Sequence, residues 1–129
     1  MDVLVAVDGS ENCERAIRAA AEFSDRYDAA LHVVHVSDSE TTATERVIAH
    51  AERVLAAVDS DADVELDVIE MTLPTDREVA KELLDLVEHE GFDHVFMGHH
   101  GAGVVERAIL GSAAEGVVRN ATVPVTVVP

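Results

Sequence analysis

Valine-rich runs with β-branched character alternate along the chain with segments whose apolar residues recur at helical spacing, and this alternation restricts the fold more than any other feature. Val3-Leu-Val-Ala-Val7 reads as a strand that stops at Asp8-Gly9-Ser10, the chemistry of a tight turn. Ser10 is a good helix N-cap, and Ala16, Ile17, Ala20, Phe23 and Tyr27 share one face of the helix it would open. Leu31 to Val36 predicts a second strand, Ser37 to Thr44 a polar loop, and the stripe Val47, Ala51, Val54, Leu55 and Val58 a second helix. Val64 to Ile69 is interrupted by Glu65 and Asp67, as in a half-exposed strand at a sheet edge. After Pro74, Thr75 with Glu78 forms a capping box for a third helix through Val79, Leu83, Leu86 and Val87, which Gly91 ends. His94 to Met97 predicts a fourth strand, Ala113 to about Asn120 a short helix, and Val123 to Val128 a last strand.

Strands separated by helices of this length call for a parallel sheet, because a parallel pair needs a crossover connection. Right-handed crossovers then lay helices on both faces, so the expected fold is α/β, three-layered and doubly wound around five strands. A chain of 129 residues suits a single domain over residues 1–129. In such sheets a ligand crevice forms beyond the carboxyl ends of the strands where the winding reverses. The residues after the first and fourth strands are therefore the ones to read for function.

Charge narrows the partners. The sequence carries 26 Asp plus Glu against 9 Lys plus Arg, a formal net charge of -17, with Lys81 its single lysine. Phosphate backbones need clustered cations, so nucleic acid is not an expected partner. The acids are dispersed rather than blocked, which argues for a hydrated acidic surface and a halophilic, salt-rich cytoplasm. No apolar stretch approaches the roughly 20 residues of a membrane span, and no leader pattern precedes the first strand; a cytoplasmic location without membrane contact is the expectation. Cys13 has no second cysteine to pair with and reads as a small apolar helix residue.

The fourth strand runs into Gly98-His-His-Gly101, and nine residues later Gly111-Ser112 opens a helix. Glycines let backbone N–H groups approach a phosphate, and a helix N-terminus adds unsatisfied donors and a favourable dipole. Each part has a plainer reading: the glycines could belong to an ordinary loop, Ser112 could cap its helix with Glu115, and Asp8 could only brace its own turn. The full spacing, G-x2-G-x9-G-[ST], resembles the nucleotide signature of the ATP-binding universal stress proteins. Val5-Ala-Val-Asp-Gly-Ser10, Leu31-His-Val-Val-His-Val36, Glu90-Gly-Phe-Asp93 and Val123-Pro-Val-Thr-Val-Val128 extend the resemblance over nearly the whole chain.

That resemblance implies the strand order 3-2-1-4-5 of the adenine nucleotide alpha hydrolase-like fold, with ATP, or ADP or AMP, lying across strands one and four. It implies that Asp8 accepts from the ribose, that Ala6 and Val7 line its pocket, and that Val36 faces the adenine. Met97, Gly98, His100 and Gly101 would pass along the nucleotide, while Gly111, Ser112 and Ala113 would hold phosphate through backbone N–H groups and the Ser112 hydroxyl. Mg²⁺ is expected to arrive on the phosphates, and a homodimer to form through the last strand, Val123 to Val128, an apolar edge with Pro124 inside it. Two positions depart from the family pattern: Ala102 stands where a basic residue is common, and Thr72 where many members carry glycine. His32 and His35 lie three apart on one strand and so point to opposite faces, which argues against joint metal ligation.

Other functions fit less well. A phosphoacceptor receiver domain would need an acidic pair after strand one, an Asp after strand three and a Lys after strand five; this chain offers Asp8 alone, Met71-Thr-Leu-Pro at the second place, and no lysine at the third. An adenylate-transferring enzyme would need a substrate region for which the strands and helices leave little room. No general base, arginine finger or Walker lysine can be assigned near a γ-phosphate, so a dedicated enzyme is not expected and slow ATP hydrolysis is the upper limit. A nucleotide-free dimeric interaction module of the same fold is the alternative to a nucleotide-binding stress-response regulator.

Overall fold

The computed structural model describes residues 1–62, 64–68, 76–99 and 110–129. In chain order the elements are β1 (Asp2–Ala6), α1 (Glu11–Tyr27), β2 (Ala30–Ser37), α2 (Thr42–Ala57), β3 (Val64–Val68), α3 (Asp76–Glu90), β4 (His94–Gly98), α4 (Ser112–Asn120) and β5 (Val125–Val128). The five strands form one sheet in the order β3-β2-β1-β4-β5, and every neighbouring pair is parallel. This is the α/β, doubly wound, five-stranded parallel fold in the order 3-2-1-4-5 expected above.

The central position of β1 explains its composition. Val3, Leu4 and Val5 are all fully buried, because one face of the sheet packs under α1 and α2 and the other under α3 and α4. Val3 and Val5 meet Ile17, Ala20, Val54 and Leu55, whereas Leu4 points the other way toward Leu83, Val87 and Val117. Fully burying each such side chain is worth about 1.5–3 kcal/mol, so a strand of alternating polar residues could not hold this place. The sheet grows outward from β1 through β2 to β3, then returns across to β4 and β5. The winding therefore reverses between β1 and β4.

Beyond shifts of one residue at the ends of β1, β2 and β4, four further boundaries differ from the sequence expectation. Helix α2 begins at Thr42, inside the stretch expected to be loop, because the Thr41 N–H donates to Thr44 Oγ1 at 2.7 Å and that hydroxyl donates back to the Thr41 carbonyl at 2.7 Å. Val58 is the residue after α2 rather than part of it, with φ −105°. Helix α4 starts at Ser112, one residue early, with Gly111 as its N-cap, so Ser112 does not cap it; Glu115 pairs with Arg119 at 2.9 Å. The last strand starts at Val125, not Val123: Pro124 has no N–H to give to a ladder, though its carbonyl accepts from the Val95 N–H at 3.0 Å. Ile69, Thr72 and Thr75 lie outside the described residues.

Candidate functional site

A cleft of about 130 Å³ sits beyond the carboxyl ends of β1, β2 and β4, at the point where the winding reverses. Ala6, Val7, Asp8, Val36, Met97, Gly98, Gly111, Ser112 and Ala113 all line it. Those nine sequence-selected residues come from four separated stretches of chain, and the fold brings them into one concavity. His100, Gly101 and Ala102 lie outside the described residues.

Each stretch is held by identifiable contacts. Beyond the end of β1 the Val7 N–H donates to the Val34 carbonyl at 2.9 Å, and the Val7 carbonyl lies 2.7 Å from His35 Nδ1. A carbonyl only accepts, so His35 carries its proton on Nδ1. Gly9 follows with φ +83°, and the Ser10 N–H donates to Asp8 Oδ1 at 3.0 Å. Asp8 thus braces its own turn, the plainer reading, and also lines the cleft. At the end of β4, a Cβ on Gly98 would fall 2.7 Å from Asn12 Cβ and 3.3 Å from the Asn12 carbonyl carbon. Glycine at 98 therefore lets β4 run directly under the first turn of α1, a packing requirement separate from any ligand.

The polar wall is the N-terminus of α4. The Glu115 N–H donates to the Gly111 carbonyl at 2.8 Å, the first bond of the helix, so the N–H groups of Ser112, Ala113 and Ala114 precede the intrahelical ladder. The Gly111 N–H donates to the His99 carbonyl at 2.8 Å. The His99 N–H is likewise committed to the Val128 carbonyl at 2.8 Å. Ser112 is exposed at the mouth. Interaction of an anion with such a terminus is worth about 0.3–1 kcal/mol, up to about 2 when partly buried, so phosphate alone would be held weakly.

The remaining wall is apolar: Val34, Val36, Val79, Leu83 and Met97 surround the inner end. Val34, His35, Val79, Leu83, Ala114 and Cys13 were not assigned to the site from sequence. Val34 was within reach, since it lies two residues from Val36 on a strand and shares its face; Val79 and Leu83 share a helix face at i, i+4. Cys13 offered no such signal. It is buried, and its Sγ lies 2.8 Å from Asp8 Oδ1, so it is a hydrogen-bonding residue and not merely an apolar one. Among the described residues no Lys or Arg lines the cleft, and Asp8 is its one carboxylate. The two strand histidines separate as expected: His32 Nε2 meets Asp2 Oδ1 at 3.0 Å, far from the cleft that His35 lines.

The family model described as the Universal stress protein family matches residues 1–129. A Staphylococcus haemolyticus protein named for that family is 31% identical over 137 residues, covering 98% of this chain and 83% of its own. Two solved structures share the fold. The universal stress protein from Archaeoglobus fulgidus in complex with dAMP gives a TM-score of 0.77 at 22% identity, covering 100% of this chain and 98% of that one. A universal stress protein in complex with cAMP gives 0.75 at 20%, covering 99% and 95%. Likeness at such identities speaks to the fold.

Proposed function

The chain belongs to the universal stress protein family, and we propose that it binds an adenine nucleotide, ATP with Mg²⁺ foremost, in the cleft at the ends of β1 and β4. The observation that carries this is the convergence of Asp8, Val36, Gly98 and the N-terminus of α4 on a cleft that is apolar inside and rich in backbone donors at its mouth. An adenine ring suits the Val34, Val36 and Leu83 end, a ribose the neighbourhood of Asp8, and a phosphate the α4 terminus. Two proteins of the same fold were solved with dAMP and cAMP, both adenine nucleotides. Among the described residues no cluster of acids, His or Cys could hold an ion by itself, so Mg²⁺ would be carried on the phosphate oxygens.

The role that follows is regulatory: a stress-response protein that senses nucleotide in the cytoplasm, hydrolyses it slowly at most, and pairs with a second copy through β5. Among the described residues no helix is long and apolar enough to cross a membrane. Strand β5 lies at the sheet edge, opposite β3, and leaves one ladder side for a partner strand.

Amide resonances of isotope-labelled protein, followed during addition of AMP and then ATP with Mg²⁺, test the assignment. The expected outcome is saturable movement of Val7, Asp8, Val36, Ser112 and Ala113. Unmoved resonances would leave a nucleotide-free interaction module as the function.

A further inference from the structure

Cys13 lies in the first turn of α1, 3% exposed, and lines the cleft beside Asp8. Its Sγ is 2.8 Å from Asp8 Oδ1, while the Asp8 N–H donates to the same sulfur at 3.2 Å. The Ala6 carbonyl is a more distant acceptor at 3.8 Å. A carboxylate oxygen cannot donate, so the thiol hydrogen is the one shared at 2.8 Å. Oδ1 also receives the Ser10 N–H at 3.0 Å, so two donors hold one oxygen of this carboxylate.

Burial, followed by the negative charge of Asp8, pushes the Cys13 thiol up to about 12. The thiolate is the reactive form of cysteine, so this sulfur stays a protonated donor and is neither a nucleophile nor a redox sensor at neutral pH. Its remaining chemistry is to orient its neighbour.

We propose that Cys13 is a positioning residue of the nucleotide site, whose S–H holds the Asp8 carboxylate in the orientation that meets a ribose hydroxyl. The inference rests on the cleft taking an adenine nucleotide and adds a residue that discriminates for an intact ribose. A carboxylate already fixed loses no rotamer freedom when ligand arrives, which is the general source of affinity from preorganisation.

The test compares AMP with dideoxyadenosine monophosphate, which lacks the ribose hydroxyls, on the wild type, Cys13→Ala and Cys13→Ser. Cys13→Ala should weaken AMP roughly threefold to tenfold and leave the dideoxy nucleotide unchanged; Cys13→Ser, which keeps a donor, should recover part of the loss. Equal weakening of both nucleotides would mean a merely structural role, and no weakening of AMP would end the proposal. Infrared spectra of the ligand-free protein give an independent reading, because the S–H stretch should shift in Asp8→Asn; an unmoved band overturns the contact itself. A wild type that binds neither nucleotide refutes the site and the positioning role together, and a shifted band then locates the failure in the ligand rather than in the thiol contact.

Discussion

A methyl group added at Gly98 would approach Asn12 Cβ to 2.7 Å, and both atoms belong to rigid elements, β4 and the first turn of α1. Overpacking of this kind costs about 1–3 kcal/mol, so Gly98→Ala should lower the urea midpoint without any ligand present; an unchanged midpoint would show that α1 can shift freely. For the same reason a substitution at Gly98 is a poor probe of phosphate binding, whereas exposed Ser112 is a good one. At this scale the sequence made Asp8, Gly98 and Ser112 visible through spacing and position in the topology, and Val36 through family resemblance. It hid what their atoms do. That Gly111 spends its N–H on His99, and that Cys13 meets Asp8, depends on how chain segments close in space, which no short-range pattern encodes.

Element β4 is tied to its neighbours through His94, whose ring stacks on Phe96 with centroids 4.7 Å apart, lies 4.9 Å from the Phe23 ring on α1, and reaches Thr126 Oγ1 on β5 at 2.8 Å. Burial lowers the His94 pKa from its ordinary value near 6.5. The folded state therefore binds this proton less readily than the unfolded one. His94 favours folding fully above about pH 6.5, and that stability is lost as pH falls through the lowered folded value. Thermal unfolding between neutral and mildly acidic pH should fall less steeply in His94→Phe than in the wild type; parallel profiles would contradict the linkage. The strand carrying His94 was legible from its composition, and so were the order and types of the nine elements among the described residues. Boundaries were less so. The α2 start was masked because threonine is equally at home in a loop and in a helix cap, and the β5 start because Val123 continues the strand composition across a proline that cannot.

Over the whole molecule, the net charge of -17 means that folding gathers acids that would otherwise stand farther apart. Raising KCl from about 0.1 M to about 2 M shortens the screening length from about 10 Å to a few ångströms. The unfolding midpoint should rise through that range, and light scattering at the high-salt end should give the mass of two chains. A flat midpoint would remove the case for adaptation to salt, and a monomeric mass would remove β5 as a pairing edge. The parallel doubly wound architecture was readable from alternation alone, and the strand order from family resemblance; the surface's purpose is written in neither. The account's central claim is the nucleotide cleft, and calorimetric titration in molar KCl of the wild type and Ser112→Asp with ATP and Mg²⁺ tests it most directly. A carboxylate at the start of α4 suits the helix dipole, so the variant should fold, yet it should repel phosphate at the cleft mouth. Micromolar binding by the wild type with a loss on the order of tenfold or more in the variant is the predicted result; equal binding by both proteins, or none by the wild type, would contradict it.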